Sequence, residues 1–220
     1  QVAQKLSVLG EVNRVEYNRT LKRANNSKPV QIASNVVTRS SASIEGHNDP
    51  LLKYQWHLVN NGNLRPTKFI KGADVNVEKA WEMTTGDPSI IVAVLDEGVD
   101  VSHPDLQASM WVNEGEVWKS HEDNDGNGYA GDVHGYNFVS KHGVISTDSR
   151  YDTGHGTHVA GVIAAVNNNG TGISSIAGGN ASESGVKIMS CQIFSGQYAG
   201  TVPEEVRAIK YAADNGAVIL

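Results

Sequence analysis

The most ordered stretch of the chain is the apolar run Ile90-Ile91-Val92-Ala93-Val94-Leu95, which ends abruptly in Asp96-Glu97-Gly98. With no polar alternation inside it, the run predicts a strand buried on both faces of a parallel sheet, carrying a carboxylate at its carboxyl end. Strand-like blocks recur at 136–139, 186–193 and 217–220, with helical blocks between them. The first helix is expected near Val75 to Thr84, with Val77, Ala80 and Trp81 on one face and Gly86 as a stop. The second runs from Gly156 or Thr157 to Val166, apolar almost all round and so expected to be buried. The third opens at Pro203 with Glu204 and Glu205 in its first turn, is expected to bury Val206, Ile209 and Ala213, and stops at Gly216. Strands alternating with helices predict an α/β fold: a doubly wound, mostly parallel sheet with helices on both faces.

The two ends of the chain depart from this pattern. Val12 to Tyr17 alternates apolar and polar residues, as a half-buried strand does, but is too small to stand as a domain. Residues 24–48 are polar and without period, and read as a linker. At the other end Ala217-Val218-Ile219-Leu220 has the pattern of a buried strand without a turn after it, so the fold is expected to be incomplete at the C-terminus. The 220 residues are 39% hydrophobic, sufficient for a sizeable core, and carry a formal net charge of −6. That charge, with no basic stripe, argues against nucleic acid or an anionic membrane surface as partner. No apolar run approaches the length of a bilayer span. The single cysteine, Cys191, excludes an internal disulfide and lies in a strand-like stretch, as a buried structural thiol does.

Three groups of residues carry candidate chemistry. Asp96 sits where open α/β sheets place ligands, although an Asp beside a Gly is also an ordinary turn former. In Gly154-His155-Gly156-Thr157-His158, His155 is presented at the mouth of the second helix, where it can serve as a base. Two other readings are packing histidines, or a zinc site of His155, His158 and Asp96, which the fixed Gly-Thr between the imidazoles does not call for. Asp123-Asn124-Asp125-Gly126-Asn127-Gly128-Tyr129 places oxygen donors at alternate positions before a sharp turn, the front half of a calcium loop. Asp123, Asp125, Asn127 and the Tyr129 carbonyl are the expected ligands; the twelfth position is His134 rather than Glu, and Asp132 is the candidate substitute. The alternative is a solvated Asn-Gly turn.

Asp96-x-Gly98 after an apolar strand, then His103-Pro104-Asp105-Leu106, then His155-Gly-Thr-His-Val-Ala-Gly161, resemble the subtilisin-like serine proteases, or subtilases. The resemblance runs from Asp49 to Leu220. It implies a subtilisin-like fold for residues 49–220 and makes Asp96 the acid and His155 the general base of an Asp-His-Ser triad. It also implies that Ser195, Gly196 and Gln197 pair with substrate backbone as an edge strand. Residues 1–23 resemble the end of a prodomain, and residues 24–48 would span the maturation cleavage. Partners so implied are polypeptide substrates, the chain's own prodomain and a downstream segment carrying the catalytic serine, since the family's Gly-Thr-Ser-Met-Ala nucleophile segment is not found in residues 1–220. Some subtilases carry similar calcium loops, and a second family site lies near Asp105 and the loop 167–172. No organic cofactor is implied. The expectation is a secreted or cell-envelope endopeptidase of which these 220 residues alone are inactive. The rival readings are a non-catalytic, calcium-stabilised extracellular module on the same scaffold, or one half of a split enzyme.

Overall fold

The apolar run forms β1 (Ile91–Asp96), the centre of a four-stranded parallel sheet. A computed structural model describes residues 18–21, 46–62, 70–147, 153–195 and 200–220. Its other strands are β2 (Gly135–Asn137), β3 (Lys187–Gln192) and β4 (Ala217–Ile219), in the order β2-β3-β1-β4. β1 pairs with β3 over its whole length, from Ile91 opposite Lys187 to Asp96 opposite Gln192. The register also sets Asn137 opposite Gln192, so the last residues of three adjacent strands, all polar, lie side by side at the carboxyl edge.

Alternate residues of β1 serve two separate cores, as strand geometry requires. Val92 and Val94 pack with Ile188 against Ala160 and Ala164 of α2 (His155–Ala164). Ala93 packs on the other face with Met189 and Cys191 against Ala208, Tyr211 and Ala212 of α3 (Val202–Asp214). Helices thus cover both faces, the doubly wound α/β arrangement expected from the alternation of strands and helices. Cys191 is fully buried, and burial pushes its thiol up to about 12.

Four local expectations need correction. α1 (Val77–Trp81) is shorter than the 75–84 block, because Asn76 enters in the left-handed conformation and only single turns follow Trp81. α2 starts at His155 itself, and only its small-residue face of Gly156, Ala160, Gly161 and Ala164 is buried; Val159 and Ile163 are half-buried. α3 is rotated from its expected phase: Ala208, Tyr211 and Ala212 are buried, whereas Val206 and Ile209 are 57% and 44% exposed and Ala213 is exposed. Tyr211 decides that phase by reaching a buried carboxylate on the far side of the core, described below. In β4 only Ala217 is buried: among the described residues the strand pairs with β1 alone, and Val218 and Ile219 are 64% and 51% exposed.

The strand expected at Val12 to Tyr17, and most of the linker at 24–48, lie outside the described residues. Among the described residues, Thr20 bridges Thr201 in antiparallel fashion at the start of α3. Leu21 N–H donates to the Gly200 carbonyl at 2.8 Å and Val202 N–H to the Arg19 carbonyl at 3.1 Å. Leu21 packs on the α3 side of the core.

Candidate active site

Asp96 is the last residue of β1 and His155 the first of α2, two elements whose packing through small residues brings strand end and helix start together. His155 Nδ1 lies 2.7 Å from Asp96 Oδ2. Because a carboxylate only accepts, Nδ1 carries the proton, and the lone pair of Nε2 is left to bind another. The carboxylate is itself held by the Glu97 N–H, which donates to Asp96 Oδ1 at 2.7 Å. The His155 side chain is 49% exposed and that of Asp96 13%, so the pair opens to solvent on the imidazole side. Gly98, at φ +106, then turns the chain away under Gln192 and the 145–146 segment.

Around this pair stands a polar frame that the sequence reading did not single out. Glu97, 1% exposed, accepts from the Thr153 N–H at 2.8 Å, the Thr153 hydroxyl at 3.0 Å and the His155 N–H at 2.6 Å, all through Oε1. Gln192 donates through Nε2 to the Glu97 carbonyl at 2.8 Å, and its Oε1 accepts from Asn137 Nδ2 at 2.7 Å and Ser146 N–H at 2.9 Å. The one sequence signal for these residues was position: each is a polar residue at or just past the end of a buried strand.

His158 does not join His155. It lies near enough to His57 for its charge, after burial, to hold that imidazole below its ordinary range. Among the described residues, the side-chain groups close enough to share a metal include neither His155 nor His158, so the zinc reading finds no geometry. Ser195 is half-buried just past β3, while Gly196 and Gln197 lie outside the described residues.

In the acidic loop, Asp123 and Asp125 come together with Glu116, a residue the linear motif did not include; one carboxylate oxygen from each lies within 4.8 Å of the others. The loop is pre-shaped by its own amides: Asp123 accepts from Gly126 and Asn127 N–H through Oδ1 and from Gly128 N–H through Oδ2. Glu116 accepts from Asn124 and Gly131 N–H. The small burial of Asp125 is outweighed by hydrogen bonds from the Asn113 side chain and Asn127 N–H, which hold its carboxyl below the ordinary range. Asn127 and Asp132 are arranged differently from the expected ligand set. Asn127 Nδ2 donates to Asp125 Oδ2 and Asp132 Oδ2, and its Oδ1 accepts from the Tyr129 N–H at 2.8 Å. Asp132, fully buried, receives Asn113 Nδ2 at 3.0 Å and the Tyr211 hydroxyl at 2.6 Å, because the chain dives beneath α3 just after Tyr129. Tyr129 contributes its ring to an aromatic cluster with Tyr136, Phe138 and Tyr211.

Beside the loop at 167–172, Asp105 accepts from Ile173 N–H and Asn169 Nδ2. Asp49 accepts from Asn168 and Asn169 N–H. Burial outweighs the hydrogen bonds to Asp105 and holds its carboxyl above the ordinary range.

Residues 87–220 match the subtilase family, peptidase S8. A thermophilic serine proteinase of Bacillus sp. strain AK1 is 34% identical over 185 residues, which cover 79% of this chain and 37% of that protein. Halolysin of Haloferax mediterranei is 33% identical over 146 residues, 66% of this chain and 23% of its own length. The cell wall-associated protease of Bacillus subtilis is 32% identical over 79% of this chain and 16% of its own. The chain therefore spans well under half the length of these curated relatives. In fold it is similar to the Aeromonas sobria serine protease, solved as a complex with a chaperone, at a TM-score of 0.54 and 23% identity over 83% of this chain and 26% of that one. With a family match over more than half of its residues and a parallel sheet built like those of its structural neighbours, the chain belongs to the subtilase family.

Proposed function

We propose that the whole protein is a serine endopeptidase in which this chain supplies the acid, Asp96, and the general base, His155. The observation that carries this reading is the 2.7 Å contact between His155 Nδ1 and Asp96 Oδ2 at the junction of strand end and helix start. His155 Nε2 takes the proton of a serine hydroxyl as that oxygen attacks a peptide carbonyl, and returns it to the leaving amine. Asp96 fixes the tautomer and stabilises the imidazolium that forms. The serine comes from polypeptide outside residues 1–220, so these residues alone do not hydrolyse peptides. Ser195, Gly196 and Gln197 offer the backbone edge along which an extended substrate pairs.

Residues 1–23 are the end of a prodomain, with the maturation cleavage in 24–48 and the catalytic domain from 49 onward. The antiparallel bridge of Thr20 to Thr201 supports this, since it ties the first segment to the start of α3, a few residues past Ser195. Calcium would be held by Glu116, Asp123 and Asp125, an all-oxygen set suited to a hard cation, and would supply structural rigidity rather than chemistry. The protein acts outside the cytoplasm, secreted or in the cell envelope, a location supported by the cell wall-associated relative.

A fluorophosphonate probe applied to the 220-residue chain and to the longer natural protein tests the central reading. Covalent labelling is expected on the longer form alone, and is lost there in His155→Ala. Labelling of the short chain, or none on the longer one, would overturn the proposal.

A further inference from the structure

The residue after the triad acid is a second, more deeply buried carboxylate, and its contacts converge on the same histidine. Glu97 Oε1 receives the His155 N–H at 2.6 Å together with both donors of Thr153, while Asp96 holds the His155 ring from the other end. The helix has no cap of its own here, because Gly154 at the N-cap position has no side chain to offer. Glu97 is in turn fixed on both sides: its N–H is bound to Asp96 Oδ1 and its carbonyl to Gln192, a side chain that is completely buried.

The geometry points to Glu97 as a positioning residue for the general base: two consecutive carboxylates form one clamp, Asp96 on the ring and Glu97 on the backbone of His155. Burying a carboxylate is costly unless hydrogen bonds compensate it, and here charge-assisted donors at the positive end of a helix do so. In return the first residue of α2, which would otherwise fray with unpaired N–H groups, is held in place. The imidazole then cannot swing about its own Cα when Nε2 gives and takes a proton. The clamp depends on reach: shortening Glu to Asp withdraws the acceptor by about one C–C bond, roughly 1.5 Å.

The proposal rests on the endopeptidase reading for its kinetic arm, and a spectroscopic arm is independent of it. In the longer natural protein assayed on a peptide substrate, Glu97→Gln keeps an acceptor at the right distance and is expected to hold kcat within about fivefold of the parent. Glu97→Asp keeps the charge but not the reach, and is expected to lower kcat on the order of 10- to 100-fold with KM little changed. In proton NMR of the 220-residue chain, the low-field Nδ1–H resonance of His155 is expected in the parent and in Glu97→Gln, and is broadened or lost in Glu97→Asp. Undiminished kcat in Glu97→Asp, a loss appearing in KM instead, or Glu97→Gln falling as far as Glu97→Asp would overturn the clamp. So would a resonance that is missing from the parent or that persists in Glu97→Asp. A parent without peptidase activity would sink the endopeptidase reading, and the resonance would then decide the clamp by itself.

Discussion

Among single residues, Tyr211 has the most to say about how this protein responds to pH. Its hydroxyl donates to Asp132 Oδ2 at 2.6 Å with both side chains fully buried. Burial first, and the neighbouring Asp132 charge second, push the Tyr211 hydroxyl far above its ordinary value. Burial likewise holds the Asp132 carboxyl above its usual range, against the hydrogen bonds from Tyr211, Asn127 and Asn113. A group whose folded-state value is raised contributes stability that is complete below its unfolded value and is lost as pH climbs toward the folded one. For Tyr211 the loss begins near pH 10, where the unfolded chain releases the proton and the folded chain keeps it, at about 1.4 kcal/mol per pH unit for one such group. Tyr211→Phe is therefore expected to be less stable at neutral pH by about 1–3 kcal/mol, since Asp132 loses a buried donor. Above pH 10 its stability should fall less steeply than the parent's, a residual slope remaining from Tyr136, whose hydroxyl burial also raises. Urea unfolding from pH 8 to 11 measures both effects, and parallel alkaline limbs would show that Tyr211 ionises freely in the folded state.

At the scale of elements, the site was legible wherever a local pattern dictated it. The unbroken apolar run fixed β1, because burial on both faces leaves a direct sequence trace, whereas the His-Gly-Thr-His segment marked α2 but put its start one or two residues late, at Gly156 or Thr157 instead of His155. The phase of α3 left no such trace. Val206, Ile209 and Ala213 form one apolar stripe and Ala208, Tyr211 and Ala212 another, and the choice between them rests on Asp132, 79 positions earlier in the chain. Glu116 escaped notice for the same reason: a turn in space, not a spacing in sequence, sets it beside Asp123 and Asp125. The α2–β1 junction yields a sharper test. A Cβ on Gly156 would overlap the Gly98 carbonyl oxygen and stand 3.2 Å from Asp96 Cβ, so Gly156→Ala must push the first turn of α2 away from the strand end. Alanine gains about 1 kcal/mol in helix propensity, but the overpacking costs about 1–3 kcal/mol. Gly161→Ala, on the same buried face, meets only Ile173 Cδ1 at 3.4 Å and is expected to be neutral or stabilising. Thermal melts of the two variants, with peptide hydrolysis lost in Gly156→Ala and kept in Gly161→Ala in the longer protein, check that the close approach of helix and strand serves the Asp96–His155 pair. Equal behaviour of the two would contradict it.

For the molecule as a whole, the acidic loop and the sheet are joined by one continuous set of contacts. Asp125 shares Asn113 and Asn127 with Asp132, and Asp132 is bound to Tyr211 on α3, which covers one face of the sheet. A cation that neutralises Glu116, Asp123 and Asp125 would relieve their mutual repulsion in a chain already at net −6, and would brace the loop against α3. Calcium at 100 times its dissociation constant is then expected to add about 2.7 kcal/mol to unfolding stability, visible as a rise in melting temperature and as heat in calorimetric titration. Variants separate the spatial ligand set from the linear one. Glu116→Gln, outside the loop motif, should abolish or strongly weaken the calcium-dependent rise, as should Asp123→Asn. Asp132→Asn, inside the motif but turned toward Tyr211, should leave the rise intact while altering the calcium-free melting temperature. If Asp132→Asn removes the calcium response and Glu116→Gln does not, the cation follows the order of the sequence rather than the cluster formed by the fold; if the parent shows neither heat nor a shift, the loop is held by its own amides and carries no cation.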